Sequence, residues 1–187
     1  REAAIYSIEK GQTNYTSNYG LLSLREELSK YLSSRYNVVY EPADEILVTV
    51  GVSEGLDLAM RAILDPGDEV IIPDLTFVAD ANAVLACNAK PVITDINKNN
   101  FFLSISSIKK NITKKTRAII PVHIYGQVCN IEEISDVARD NNLKIIEDCA
   151  HAVGTFHDSK HVGNIGNAGC FSFYPTKNIT TAEGGMV

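Results

Sequence analysis

A single lysine stands at the end of an apolar, strand-like run, Phe171-Ser172-Phe173-Tyr174-Pro175-Thr176-Lys177-Asn178-Ile179-Thr180-Thr181-Ala182-Glu183-Gly184-Gly185. Small and hydroxyl-bearing residues and a glycine pair follow the lysine. Upstream lies a second signal, Ile145-Ile146-Glu147-Asp148-Cys149-Ala150-His151. A lysine amine at a strand exit can form a Schiff base with a carbonyl, and a carboxylate at another strand exit can hold a ring nitrogen protonated. Those are the two requirements of pyridoxal 5′-phosphate (PLP) chemistry. A lysine withdrawn from water beside a cationic ring also keeps a neutral amine, which can serve as a base.

Further residues fit the same cofactor. Val50-Gly51-Val52-Ser53-Glu54-Gly55 closes a strand and opens a helix. The backbone N–H groups of Val52, Ser53 and Glu54 can cradle a phosphate there, with the Ser53 hydroxyl as an added donor. The Glu54 side chain must then point away. An ordinary N-cap serine explains the same pattern. Phe77 could stack on a flat heterocycle or simply fill the core. Ser172, five positions before Lys177, could donate to the phosphate. His151, one turn after Asp148, could touch the ring face or its phenolic oxygen, or act as a structural hydrogen-bonder.

Those groups need a scaffold that brings strand ends together. Strands are expected at Glu45–Val50, Glu69–Ile72, Lys90–Ile93, Arg117–Pro121, Lys144–Glu147 and Cys170–Phe173. Helices are expected at Leu24–Ser34, Ser53–Leu64, Phe77–Cys87, Ile105–Lys110 and Ile131–Asn141, the first with Leu24, Leu28, Tyr31 and Leu32 on one face. Val/Ile-rich strands alternating with helices predict an α/β fold with a mostly parallel sheet covered on both sides. Such sheets bind ligands at the carboxyl ends of their strands. Ser53, Phe77, Asp148 and Lys177 all fall at or just after such ends.

Composition narrows the alternatives. With 187 residues, 45% of them hydrophobic, the chain suits one domain with a sizeable core. A formal net charge of -6 without a basic run argues against nucleic acid as a partner. No apolar stretch approaches the roughly 20 residues needed to cross a bilayer. The four cysteines, Cys87, Cys129, Cys149 and Cys170, show no CxxC spacing, so no metal site is expected. Their apolar settings suit buried thiols in a reducing cytosol. Gly163, Gly166 and Gly169 make a GxxGxxG that precedes a strand, which rules out the dinucleotide fingerprint and leaves a shaped loop. The chain lacks an initiator Met and ends at Val187 within an apparent strand, so it reads as a fragment.

From about Leu75 to Val187 the sequence resembles the DegT/DnrJ/EryC1/StrS sugar aminotransferases. The resemblance rests on Thr76-Phe77-Val78-Ala79-Asp80-Ala81-Asn82-Ala83-Val84, Pro121-Val122-His123-Ile124-Tyr125-Gly126, Ile146 through Ala152, Gly163 through Gly169, and the Phe171–Gly185 block. It implies that Lys177 is the Schiff-base lysine, Asp148 the ring-nitrogen partner, Phe77 the stacked aromatic and Ser172 a phosphate-binding serine. The family includes dehydratases with His at the lysine position, so Lys177 favours transamination. Residues 1–72 are similar instead to class I aminotransferases of the aspartate aminotransferase type, through Tyr15-Thr16-Ser17-Asn18-Tyr19-Gly20 and Ile46 through Gly55. In that group the residue matching Tyr15 reaches the phosphate of a partner subunit; a buried tyrosine near a helix start is the alternative. The two likenesses meet near Gly67–Pro73, a mixture that a natural hybrid, an engineered chimera or a wrongly joined sequence would each produce.

Taken together, the resemblances imply the large domain of a fold-type I PLP-dependent transferase over residues 1–187, without the smaller C-terminal domain. Residues 1–35 would form a helical segment packed on it or on a partner subunit. The implied reaction moves an amino group from glutamate to a nucleotide-linked keto-sugar, in a cytoplasmic homodimer. A class I amino-acid or keto-acid aminotransferase is the alternative, as is an inactive fragment or binding module with this fold.

Overall fold

The computed structural model describes residues 2–187. In chain order its elements are α1 (Glu2–Glu9), α2 (Leu22–Tyr36), β1 (Val48–Thr49), α3 (Val52–Ile63), β2 (Glu69–Pro73), α4 (Ala79–Ala86), β3 (Lys90–Thr94), α5 (Ile105–Asn111) and β4 (Thr116–Ile119). They continue with α6 (Ile131–Asp140), β5 (Lys144–Asp148), the short hairpin β6 (Phe156–His157) and β7 (Lys160–His161), β8 (Ala168–Ser172) and β9 (Gly185–Met186). Seven strands form one sheet in the order β1-β9-β8-β5-β4-β2-β3. The run from β8 to β3 is parallel, and β9 pairs antiparallel with both β8 and β1. The α/β class and mostly parallel sheet read from the sequence are what the chain forms.

Side-chain alternation explains the layering. Val70, Ile72, Ala118, Ile120 and Ile146 point to one face and are buried with Leu56 and Met60 of α3 and Ala83 and Val84 of α4. Ile71, Ile119 and Ile145, one residue out of phase, are buried on the other face with Ile108 of α5 and Ile134, Val137 and Ala138 of α6. Helix α6 buries Ile131, Ile134, Val137 and Ala138, which share one side of a 3.6-residue period. A third cluster joins Leu32 of α2 to Cys149, Val162, Phe171, Phe173 and Met186. Arg25 of α2 is buried, with its guanidinium donating to the Pro42 and Ala43 carbonyls, and so anchors the chain that leads to β1.

Several boundaries differ from the sequence reading. The six-residue strand expected at Glu45–Val50 pairs over only Val48–Thr49, because it lies at the sheet edge and meets only the two residues of β9. Helix α4 starts two residues after Phe77, which leaves Phe77 on the connection from β2. The β6–β7 hairpin has no counterpart in the expected elements. Of the expected helical segment 1–35, Arg1 lies outside the described residues and 2–35 are only partly helical: α1 buries none of its residues, and no helix covers 10–21.

Candidate active site

The carboxyl ends of β2, β4, β5 and β8 open into a cavity of about 740 Å³. Gly51 to Ser53, Thr76, Phe77, Tyr125, Asp148, His151, Ser172 and Lys177 line it. Thus Val52, Ser53, Phe77, Asp148, His151, Ser172 and Lys177, each named from sequence, converge on one space. Glu54 does not line the cavity: its carboxylate turns back and accepts from the Val50 N–H at 2.7 Å. This is the direction the phosphate reading requires, because it leaves only backbone at that position.

Helix α3 begins at Val52 without a side-chain cap, and its first internal hydrogen bond is Gly55 N–H to Gly51 C=O. The N–H groups of Val52, Ser53 and Glu54 therefore lack intrahelical acceptors, and the helix dipole adds positive character there. No side chain fills this cradle, although the N-cap alternative for Ser53 would have used its hydroxyl. The cradle lies against β9. A Cβ at Gly185 would stand 2.6 Å from the Gly51 carbonyl carbon and 2.7 Å from Thr49 Oγ1, so only glycine lets the strand come this close.

Lys177 rides on the loop from β8 to β9, whose feet are joined by Phe173 N–H donating to Gly184 C=O at 2.8 Å. Two threonines staple the loop. Thr180 Oγ1 donates to Phe173 C=O at 3.0 Å, and Thr181 Oγ1 donates to Glu183 C=O at 2.7 Å. Ile179 anchors it against the third core cluster. The hydroxyl-rich sequence after the lysine thus has a structural use.

Asp148 is buried at the end of β5 and accepts the Ala150 N–H at 2.8 Å. Burial raises its pKa; the Ala150 N–H and the positive potentials of His151, His123 and Lys177 pull the other way without cancelling the rise. Burial and the Lys177 charge lower the His151 pKa, which keeps the imidazole neutral. His151 stacks on Tyr125, with ring centres 5.2 Å apart and planes 6° from parallel. Tyr125 holds a left-handed backbone (φ 52°, ψ 35°), a conformation that costs on the order of 1–3 kcal/mol for such a residue. Sequence reading missed Tyr125, because a backbone angle leaves no trace in residue type.

The neighbouring acid is also buried but fully satisfied. Glu147 accepts from His123 Nε2 (2.9 Å) and from the backbone N–H groups of Gly163 (2.9 Å), Ile165 (2.9 Å) and Gly166 (2.6 Å). His123 Nδ1 accepts the Cys129 N–H, so Nε2 carries the proton it gives to Glu147. Burial alone would raise the Glu147 pKa; the His123 bond and the Gly163 and Gly166 amides outweigh it and hold the carboxylate below its ordinary range. His123, Glu147 and Cys149 lie close enough to suggest a metal cluster, but both His123 ring nitrogens and both Glu147 oxygens are already spent on one another and on backbone, and burial keeps the Cys149 thiol protonated. The Gly163–Gly169 segment is the loop that wraps this carboxylate.

Tyr15 lies outside the site. It is fully exposed and does not line the cavity, which overturns the reading of a buried tyrosine.

Residues 26–187 match the model of the DegT/DnrJ/EryC1/StrS aminotransferase family. The chain belongs to this family. The match runs unbroken through Gly67–Pro73, where the two likenesses met, and a relative aligns along the whole chain. That relative, a GDP-perosamine synthase of Vibrio cholerae, is 38% identical and is covered over 51% of its own length. The class I likeness of the first third is thus carried within a DegT/DnrJ/EryC1/StrS chain, and no hybrid origin is needed. A UDP-N-acetyl-3-dehydro-alpha-D-glucosamine 3-aminotransferase of Acidithiobacillus ferrooxidans is 46% identical over 74% of this chain and 39% of its own. Among solved structures, the sugar-aminotransferase candidate Spr1654 of Streptococcus pneumoniae, in its PLP form, superposes with a TM-score of 0.82 at 29% identity. It covers all of this chain, which covers 50% of it. The chain spans about half the length, or less, of the curated relatives it matches.

Proposed function

We propose that this chain is the cofactor-binding large domain of a PLP-dependent aminotransferase that passes an amino group, with glutamate as donor, to a nucleotide-linked keto-sugar. The observation that carries this reading is the convergence of Lys177, Asp148, Ser172 and the open N-terminus of α3 on one cavity. The nucleotide-sugar substrates in the relatives' names support the acceptor class.

The residues present fit the cofactor. The free N–H groups of Val52, Ser53 and Glu54, with the Ser53 and Ser172 hydroxyls, match a phosphate. The buried carboxyl of Asp148 suits a protonated ring nitrogen. Phe77, 70% exposed at the cavity wall, offers an uncovered aromatic face. When bound, PLP supplies an electron sink for the carbon that bears the amino group. Lys177 Nζ would hold the cofactor, and its amine would take up and return the proton of that substrate carbon. His151, neutral and stacked on Tyr125, would border the bound ring without adding positive charge.

The assembly we propose is a cytoplasmic homodimer in which residues 1–35 pack on the domain or on a partner. Ile5, Tyr6, Ile8, Tyr15, Tyr19 and Leu21 are exposed together in this segment, more apolar surface than a free face usually presents. The full exposure of Tyr15 supports its reading as a phosphate ligand for a partner's site. Among the described residues no helix is long and apolar enough to cross a membrane.

Adding PLP to the protein tests the reading. A visible absorbance band should form with wild type and fail to form with Lys177→Ala. Glutamate should bleach the band, and a panel of keto-sugars and keto-acids should restore it for nucleotide-linked keto-sugars. A band that survives Lys177→Ala would overturn the lysine assignment, and restoration by keto-acids alone would overturn the substrate class.

A further inference from the structure

Asp80 takes no part in the roles above, yet it is wholly buried beside the site. It stands in the first turn of α4, a helix otherwise made of small and apolar residues apart from Asn82. Its Oδ2 accepts from Thr76 Oγ1, and its Oδ1 is buried with no hydrogen-bond partner among the described residues. Thr76 and Ala79 both line the cavity, so Asp80 lies directly behind that wall. Helix α4 covers the face of the sheet that carries Ile146, and Asp148, two residues on in β5, belongs to the same face. A helix-capping acid would explain neither the burial nor the empty oxygen, because capping carboxylates spend their oxygens on backbone N–H groups.

Two neighbouring buried carboxyls resist ionising together, because each charge disfavours the other. We propose that Asp80 and Asp148 form a carboxyl pair holding one proton between them, and that Asp80 is a positioning residue which, through Asp148, governs how tightly the cofactor's ring nitrogen keeps its proton. The first half stands on the protein alone, and the second rests on the proposed function. Burial and the Asp148 charge push Asp80 up to about 8, although the Thr76 hydroxyl pulls the other way. The remaining groups around the pair are His151, His123 and Lys177 facing Asp148, and the Cys170 thiol of β8, which burial keeps protonated. Helix α3 and β2 contribute the apolar side chains Leu56, Met60, Val70 and Ile72 to this face. Below pH 8 a single negative charge therefore meets the ring nitrogen, matching a single pyridinium charge. Above it, the ionised Asp80 adds a second and holds the ring proton to higher pH.

The test has two arms. In the first, the cofactor-free protein labelled with ¹³C at aspartate carboxyls is titrated by NMR. One carboxyl should titrate near 8, vanish in Asp80→Asn, and move down by at least about one pH unit in Asp148→Asn. The pair is overturned if no aspartate titrates above about pH 6, or if Asp148→Asn leaves the high midpoint in place. In the second arm, PLP labelled with ¹⁵N in the ring is bound to wild type, Asp80→Asn and Asp80→Ser, and the ring-nitrogen shift is followed with pH. Both variants should release the ring proton about one pH unit earlier than wild type, a roughly tenfold loss of proton affinity. Equal midpoints would overturn the positioning role. Failure of the label to bind wild type would overturn the proposed function and leave the first arm to decide the pair. Asp80→Ser and the Asp148→Asn titration keep the test open should Asp80→Asn fail to fold.

Discussion

Glu147 and Asp148 are consecutive residues of one strand, both buried, both acidic, and they face opposite sides of the sheet. On Glu147's side four donors close around the carboxylate and hold it ionised. On Asp148's side a single N–H donates, burial raises the pKa, and a cavity lies open in front. The first acid organises a loop, while the second is kept reactive. Burial therefore does not separate a structural acid from a functional one. What separates them is how many of the carboxylate's acceptor sites the fold itself consumes.

The sharpest way to break this comparison is to remove each acid in turn. Glu147→Ala strands the amides of Gly163, Ile165 and Gly166 and the His123 proton, and should cost about 3–5 kcal/mol in denaturant unfolding. Asp148→Asn should leave stability within about 1 kcal/mol of wild type, because only one hydrogen bond is at stake, yet abolish the absorbance band's response to glutamate. The reverse ranking would show the comparison to be mistaken. The next effect in size concerns pH. The Asp80 carboxyl, normally near 3.8, is raised to about 8 in the fold. A raised carboxyl favours the folded state while protonated, so that stability is complete below pH 4 and is lost as pH climbs through 8. The melting temperature of wild type should fall by several degrees over that window, and Asp80→Asn should flatten the decline.

Smaller effects probe the walls of the cavity. Gly185→Ala must push Gly51 and Thr49 away, at about 1–3 kcal/mol. Since Gly51 precedes the phosphate cradle, the variant should also bind PLP several-fold more weakly by fluorescence titration. Thr180→Val removes one staple from the lysine loop and should cost about 1 kcal/mol. Hydrogen exchange should then quicken at Thr181 and Ala182 and stay unchanged at Glu147's loop.

Much of this was legible in the sequence. Val/Ile-rich strands alternating with helices gave away the parallel sheet, and strand ends pointed to Lys177, Asp148, Ser172 and the start of α3. Residues whose use depends on distant partners were not legible. Glu147 reads like any acid until the Gly163–Gly166 loop, sixteen or more positions away, folds over it. Asp80 is an ordinary helix-start residue until β5 sets Asp148 on the same face. Tyr125 owes its place to a left-handed backbone, and Tyr15 is fully exposed. Local pattern reports what a residue can do, and only tertiary pairing reports which acceptors are already taken.

The alternation of β5 has a consequence for how this strand can change over time. Substitutions within Lys144–Asp148 alter one side chain each and can be tested one by one by selection. A one-residue insertion or deletion there would exchange the two acids, sending Glu147 into the cavity and Asp148 beneath the glycine loop. Five residues are thus held to a fixed length more strictly than to a fixed spelling, and related chains should vary in letters here but not in count.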